Sequence, residues 1–184
     1  MTPSSSRPAP RASRQGVRAL ALVAALVAGP AAAHVGTDVD TAVAGRWQSV
    51  GFRIGHGCDG SPTTSVTVFV PRGVAVAKPR PKPGWTLEVR RAPLPSPVRV
   101  HGREVAEAAS ELTWSGGRLD DAHFDEFAVL MLMPSTPGPL DVRVLQRCER
   151  GEHDWAEPAE AKGRSPTLRI TIVPAGPQGG GHRH

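Results

Sequence analysis

His34 follows Ala31-Ala32-Ala33, and its chemistry depends on whether it becomes a chain end. Residues 1–33 read as a secretory signal peptide. Arg7, Arg11, Arg14 and Arg18 form the positive region, Ala19 to Ala28 the apolar run, and Pro30 ends it. Cleavage after Ala33 makes His34 the first mature residue. A free α-amine has a pKa near about 8 and imidazole near about 6.5, so both yield to a metal at modest cost. The amine nitrogen and the near ring nitrogen close a six-membered chelate. Two nitrogens in that arrangement suit Cu(II) better than other biological divalent ions, through affinity order and tetragonal preference. A histidine can also follow a cleavage site by chance, and spacing alone leaves the two readings level.

A second group stands out because it conflicts with its neighbours. In Phe124-Asp125-Glu126-Phe127-Ala128-Val129-Leu130, one of two adjacent acids must share a face with apolar residues. Strand alternation places Glu126 with Phe124, Ala128 and Leu130, and Asp125 with Phe127 and Val129. A carboxylate partly buried in a sheet needs a cationic or metallic partner. An arginine is the commoner partner and a metal the more specific one.

The two cysteines, Cys58 and Cys148, are too far apart for a CxxC motif. An exported chain meets an oxidising compartment, where such a pair reads as a bridge. Trp155, in Gly151-Glu152-His153-Asp154-Trp155, reads as packing unless it shields a site. His56, His101, His123 and His153 read as solvated loop histidines, none with a partner at metal-ligand spacing. No Ser/His/Asp arrangement and no phosphate-binding glycine loop is present.

The elements that must position these groups are strands. Gly and Pro number 20 and 19 among 184 residues, and period-two alternation recurs where helical periodicity hardly does. Expected strands are Arg46–Ile54, Thr64–Val70, Trp85–Arg91, Val98–His101, Glu111–Ser115, Phe124–Met133, Leu140–Cys148 and Leu168–Ile172. Turns are expected at Gly57-Cys58-Asp59-Gly60, Pro81 to Gly84, Ser115-Gly116-Gly117 and Pro134 to Pro139, and only Arg103–Ser110 looks helical. Short strands at such spacing indicate an all-β, antiparallel β-sandwich of immunoglobulin or cupredoxin type. The expected organisation is a leader over 1–33, a sandwich over 34–173 and a disordered Gly/His tail over 174–184. The tail histidines His182 and His184 could collect metal weakly.

The net charge of +5 would suggest nucleic acid, but residues 1–33 hold four arginines and no acid. Beyond them the charges nearly balance, so nucleic-acid binding loses its support. The apolar run is shorter than the roughly 20 residues of a membrane span. No cysteine follows it to carry a lipid, so no membrane anchor is expected after cleavage.

Longer runs carry a resemblance. The start His34-Val35, the segment Phe52-Arg53-Ile54-Gly55-His56-Gly57-Cys58-Asp59-Gly60-Ser61-Pro62-Thr63-Thr64 and Lys78-Pro79-Arg80-Pro81-Lys82-Pro83-Gly84-Trp85 resemble the YcnI-like copper-binding family. So do Trp114-Ser115-Gly116-Gly117, Phe124-Asp125-Glu126-Phe127 and Gln146-Arg147-Cys148-Glu149 with the later Trp155. The resemblance implies an exported bacterial β-sandwich that binds one Cu(II). Its amine and ring ligands fall on His34, its carboxylate on Glu126, and the tryptophan beside the ion on Trp155. The segment Val35-Gly36-Thr37-Asp38-Val39-Asp40 departs from the family pattern, so the first strand is expected to pair differently.

The expected function is therefore periplasmic or secreted copper acquisition or delivery, with no catalysed reaction. Other periplasmic or membrane copper-handling proteins are the expected partners. Two alternatives stand beside it: a metal-free exported module that binds protein, and a copper-dependent oxidative enzyme. The enzyme is disfavoured because the chain has no Tyr and no evident second histidine ligand.

Overall fold

The structure, a computed structural model, describes residues 35–160 and 165–176. The leader, His34, and the tail histidines His182 and His184 lie outside the described residues.

Among the described residues eleven strands follow in order: β1 Gly36–Thr37, β2 Thr41–Val43, β3 Trp47–Ile54, β4 Thr63–Phe69, β5 Val76–Pro79, β6 Thr86–Val100, β7 Arg103–Leu119, β8 Asp125–Leu132, β9 Gly138–Cys148, β10 Glu152–Trp155 and β11 Leu168–Val173. They form a four-stranded sheet, β1-β3-β8-β5, and a larger sheet, β2-β11-β9-β4-β7-β6, with β10 added on β9. The expected all-β sandwich is the observed fold, with one addition: β2 runs parallel to β11, pairing Thr41 with Thr171.

The alternation that defines the strands also defines the core. Val50, Phe52 and Ile54 of β3 meet Phe127, Val129 and Met131 of β8 on the inner face of the smaller sheet. Val66 and Val68 of β4, Leu112 and Trp114 of β7, and Val142 and Val144 of β9 face them from the other sheet. Burying an aliphatic side chain of this kind contributes about 1.5–3 kcal/mol.

Several expectations are corrected. Arg103–Ser110 is not helical but the first half of β7, paired along β6 through Val105 with Val98 and Ala108 with Ala92. Its Glu and Ala residues favour a helix locally, but hairpin pairing overrides propensity. The hairpin turns at His101-Gly102, where φ is +47° and +77°, the positive values a two-residue type I′ turn requires. Ser115-Gly116-Gly117 does not end a strand either. It lies inside β7, where pairing with β4 jumps from Ser65–Ser115 to Thr63–Leu119. A Cβ on Gly117 would enter the Trp85 indole, lying 2.5 Å from its Nε1. The glycine lets the ring lie flat on the strand.

Candidate metal centre

Glu126 lies on the outer face of the smaller sheet, and not within the sandwich as its sequence neighbours suggest. β8 is a central strand, yet its outer row holds Glu126, Ala128 and Leu130 while Phe127, Val129 and Met131 point inward. The expected phase therefore holds. Two of its apolar neighbours are solvated, Phe124 at 69% and Leu130 at 39% exposed, while Ala128 is buried.

The Glu126 carboxylate is placed by a missing side chain. It lies over Gly51 of β3, where a Cβ would come within 2.7 Å of Oε1 and nearer to the rest of the carboxyl. Gly51 is in turn held by the N-terminal segment. Its N–H donates to Asp38 Oδ1 at 2.6 Å, and Asp38 N–H donates to the Gly51 carbonyl at 3.2 Å. Arg53 approaches Glu126 only to 3.9 Å, with about half of the arginine side chain exposed. That is a loose surface pair, of the kind worth little in stability.

Asp125 is committed elsewhere. Its Oδ1 accepts from Lys82 Nζ at 2.6 Å and from the Glu126 N–H at 2.8 Å. Lys82 also donates to the Glu126 carbonyl at 3.2 Å and lies over the Phe127 ring. These groups line a cleft of about 300 Å³ with Arg80, Pro81, Trp114 and Ala128.

β1 carries the approach from residue 34. Gly36 pairs with Arg53, which pairs with Glu126 on its other side, so the three share one row on the outer face. At about 4.8 Å per strand, Gly36 and Glu126 have Cα atoms roughly 10 Å apart. A Cβ on Gly36 would meet nothing within 4 Å, so the face is open there. The first strand pairs Thr37 with Phe52, and Asp38 beyond it clasps Gly51.

Trp155 is elsewhere in the sandwich. It ends β10, pairs with Val144 of β9 and is 2% exposed, a core residue whose Nε1 finds no partner. Cys58 and Cys148 form the expected disulfide, with Cα atoms 5.9 Å apart. Around that bridge is a polar corner the sequence did not announce. Gln146, fully buried, donates through Nε2 to the His56 carbonyl at 2.8 Å and to Thr63 Oγ1 at 2.6 Å. The His56 and His153 rings stand 6.4 Å apart, and His153 lies 5.5 Å from Trp155. These histidines are not the isolated loop residues expected. Their proximity follows from β10 turning back on β9, which places His153 opposite Gln146. Among the described residues no three His, Cys, Asp or Glu side chains form a metal-holding group.

Residues 34–170 match the family model described as a domain of unknown function, DUF1775. The chain belongs to the DUF1775 family. Membership agrees with the YcnI-like resemblance at the level of the domain. The chain is also similar to an uncharacterized protein from Nocardia farcinica, whose crystal structure is described as revealing an immunoglobulin-like fold. The TM-score is 0.58 at 26% identity, covering 76% of this chain and 98% of that one. No curated protein matches the sequence.

Proposed function

We propose that this DUF1775 chain is an exported copper carrier that binds one Cu(II) at its mature N-terminus. His34 supplies the amine and ring nitrogens, and Glu126 supplies an oxygen. The ion is cargo, acquired or passed on, and no reaction is catalysed.

The observation that carries this reading is the row Gly36–Arg53–Glu126. It sets an accessible carboxylate, loosely paired at 3.9 Å, on the face along which β1 leads from residue 34. Two residues span at most about 7 Å, so the terminus falls within reach of that row. The carboxylate leans toward Gly51, and ion binding turns it about its side-chain bonds toward the terminus. An accessible, loosely paired acid can make that turn at small cost, whereas Asp125 is fixed by Lys82.

A metal-free, protein-binding reading is favoured by one observation, the 69% exposed Phe124 two residues from Glu126. Electron paramagnetic resonance and chelator competition on protein beginning at His34 separate the two. The copper reading expects one bound Cu(II), lost in most part when Met precedes His34. Glu126→Gln should weaken binding by about tenfold or more and alter the spectrum. Asp125→Asn should change neither. Equal affinity with and without the added Met removes the N-terminal site.

A further inference from the structure

The corner beside the disulfide contains an imidazole with a defined and unused lone pair. His56 Nδ1 is 2.6 Å from the Gly57 carbonyl oxygen. A carbonyl only accepts, so Nδ1 carries hydrogen, and the neutral ring then presents its lone pair at Nε2. That atom is buried and meets no donor. A hydrogen bond on the far ring nitrogen is also what orients histidines that ligate metals.

A second imidazole lies beside it. The His153 ring stands 6.4 Å from that of His56, at an interplanar angle of 82°. An ion held at about 2.0–2.1 Å by one nitrogen from each side sets the two ring centroids roughly 6–6.5 Å apart. Both backbones are held in place independently of any ion, and the Gly57 carbonyl holds the His56 ring. His56 is tied through its carbonyl to buried Gln146, and His153 is fixed by the β9–β10 register. Trp155, 2% exposed, lies 5.5 Å from the His153 ring and leaves its own Nε1 unpartnered.

We propose that His56 and His153 form a second copper site, one for Cu(I), bound between two imidazole nitrogens. Cu(I) is a d10 ion without ligand-field preference and accepts two nearly opposed ligands, whereas Zn(II) seeks four. Two neutral donors in a half-buried setting also favour a single charge over a double one. Hard cations, which take six or more oxygens, find no such set here. The site is independent of His34 and stands or falls separately from the N-terminal reading.

The test is anaerobic titration of the exported, purified protein with Cu(I) against bicinchoninate, following tryptophan emission. The expected result is competition for Cu(I) with quenching of emission, retained when Met precedes His34. His56→Gln and His153→Gln should each weaken Cu(I) binding by about tenfold or more while His153→Gln leaves the Cu(II) spectrum unchanged. Should His56→Gln fail to fold, the partly buried His153 carries the comparison. Unchanged Cu(I) affinity in His153→Gln overturns the proposal. So does loss of Cu(I) on adding Met, which assigns the ion to the terminus. Failure of every form to compete leaves only a buried water joining His56, Gln146 and Trp155, and also overturns it.

Discussion

Two polar regions of this sandwich are positioned by opposite means. On the outer face of β8, Glu126 is placed by absence: Gly51 lacks a side chain, and the carboxylate occupies the room. In the disulfide corner, His56, Gln146 and Trp155 are placed by enclosure, with several hydrogen-bonding atoms left unused. The first arrangement is cheap to alter because a solvated carboxylate can swing aside. The second is costly, since each buried polar atom depends on neighbours that cannot move.

The largest expected effect is therefore in the corner. Trp155→Ala should destabilise the fold by about 3–5 kcal/mol in chemical denaturation, the range for large core truncations. Phe124→Ala, on the open face, should stay within about 0.5 kcal/mol. A small effect at Trp155 would mean the corner is not part of the continuous core.

Next comes the bridge. Replacing Cys58 and Cys148 together by Ser should cost about 2–5 kcal/mol, because the bond closes a loop of 90 positions. The unfolded, unreduced native protein should show no reactive thiol.

Glycine substitutions sharpen the contrast at smaller scale. Gly117→Ala drives a Cβ into the Trp85 indole and should cost about 1–3 kcal/mol. Gly51→Ala meets only the end of Glu126 and should cost about 1 kcal/mol or less, the carboxylate swinging off the strand. Equal costs would show that Glu126 is held more firmly than its exposure suggests.

The smallest effect belongs to a surface pair at the other end of the larger sheet. Arg169 donates to Asp141 at 2.7 Å across β9 and β11, and this hydrogen bond lowers the Asp141 pKa below the ordinary carboxylate value. A lowered folded-state pKa contributes stability above the unfolded value, lost as pH falls through the folded one. Asp141→Asn should thus remove a small part of the acid-side loss of stability and leave neutral-pH binding unchanged. Melting curves between neutral and acid pH read this directly.

The difference between the regions also explains what the sequence disclosed. Glu126 and Asp125 were separable because alternation is a local rule and β8 obeys it throughout. The strands of the core, and Cys148 in phase with Val142 and Val144, were legible for the same reason. The length of the β6–β7 hairpin was not, because Glu, Arg and Ala between Arg103 and Ser110 carry helical preference and the type I′ turn opens on His101 where Asn, Asp or Gly is usual. β1 and β2 are too short to show a period and exist only through their distant partners. His56 and His153 are 97 positions apart in sequence, and only the return of β10 onto β9 joins them. Gln146 lies in the phase of Leu140, Val142 and Val144, a polar residue in an apolar row. That interruption was the one available signal of a polar corner.

The parallel pairing of β2 with β11 has a kinetic consequence. Thr41 pairs with Thr171, whose N–H donates to the Asp40 carbonyl, so a chain emerging N-terminus first cannot complete this edge until β11 has been delivered. Asp38, which clasps Gly51, lies between β1 and that waiting strand. Such long-range closure places the fold among slow-assembling all-β topologies, on a scale of about milliseconds to seconds. The segment from Gly36 to Val43 is thereby stitched into both sheets only at the end of assembly. A truncated or half-synthesised chain would have the Glu126 strand with β1 beside it on β3, but β2 would lack its partner. Completion of the polypeptide thus acts as a timer on the β2 edge of the larger sheet.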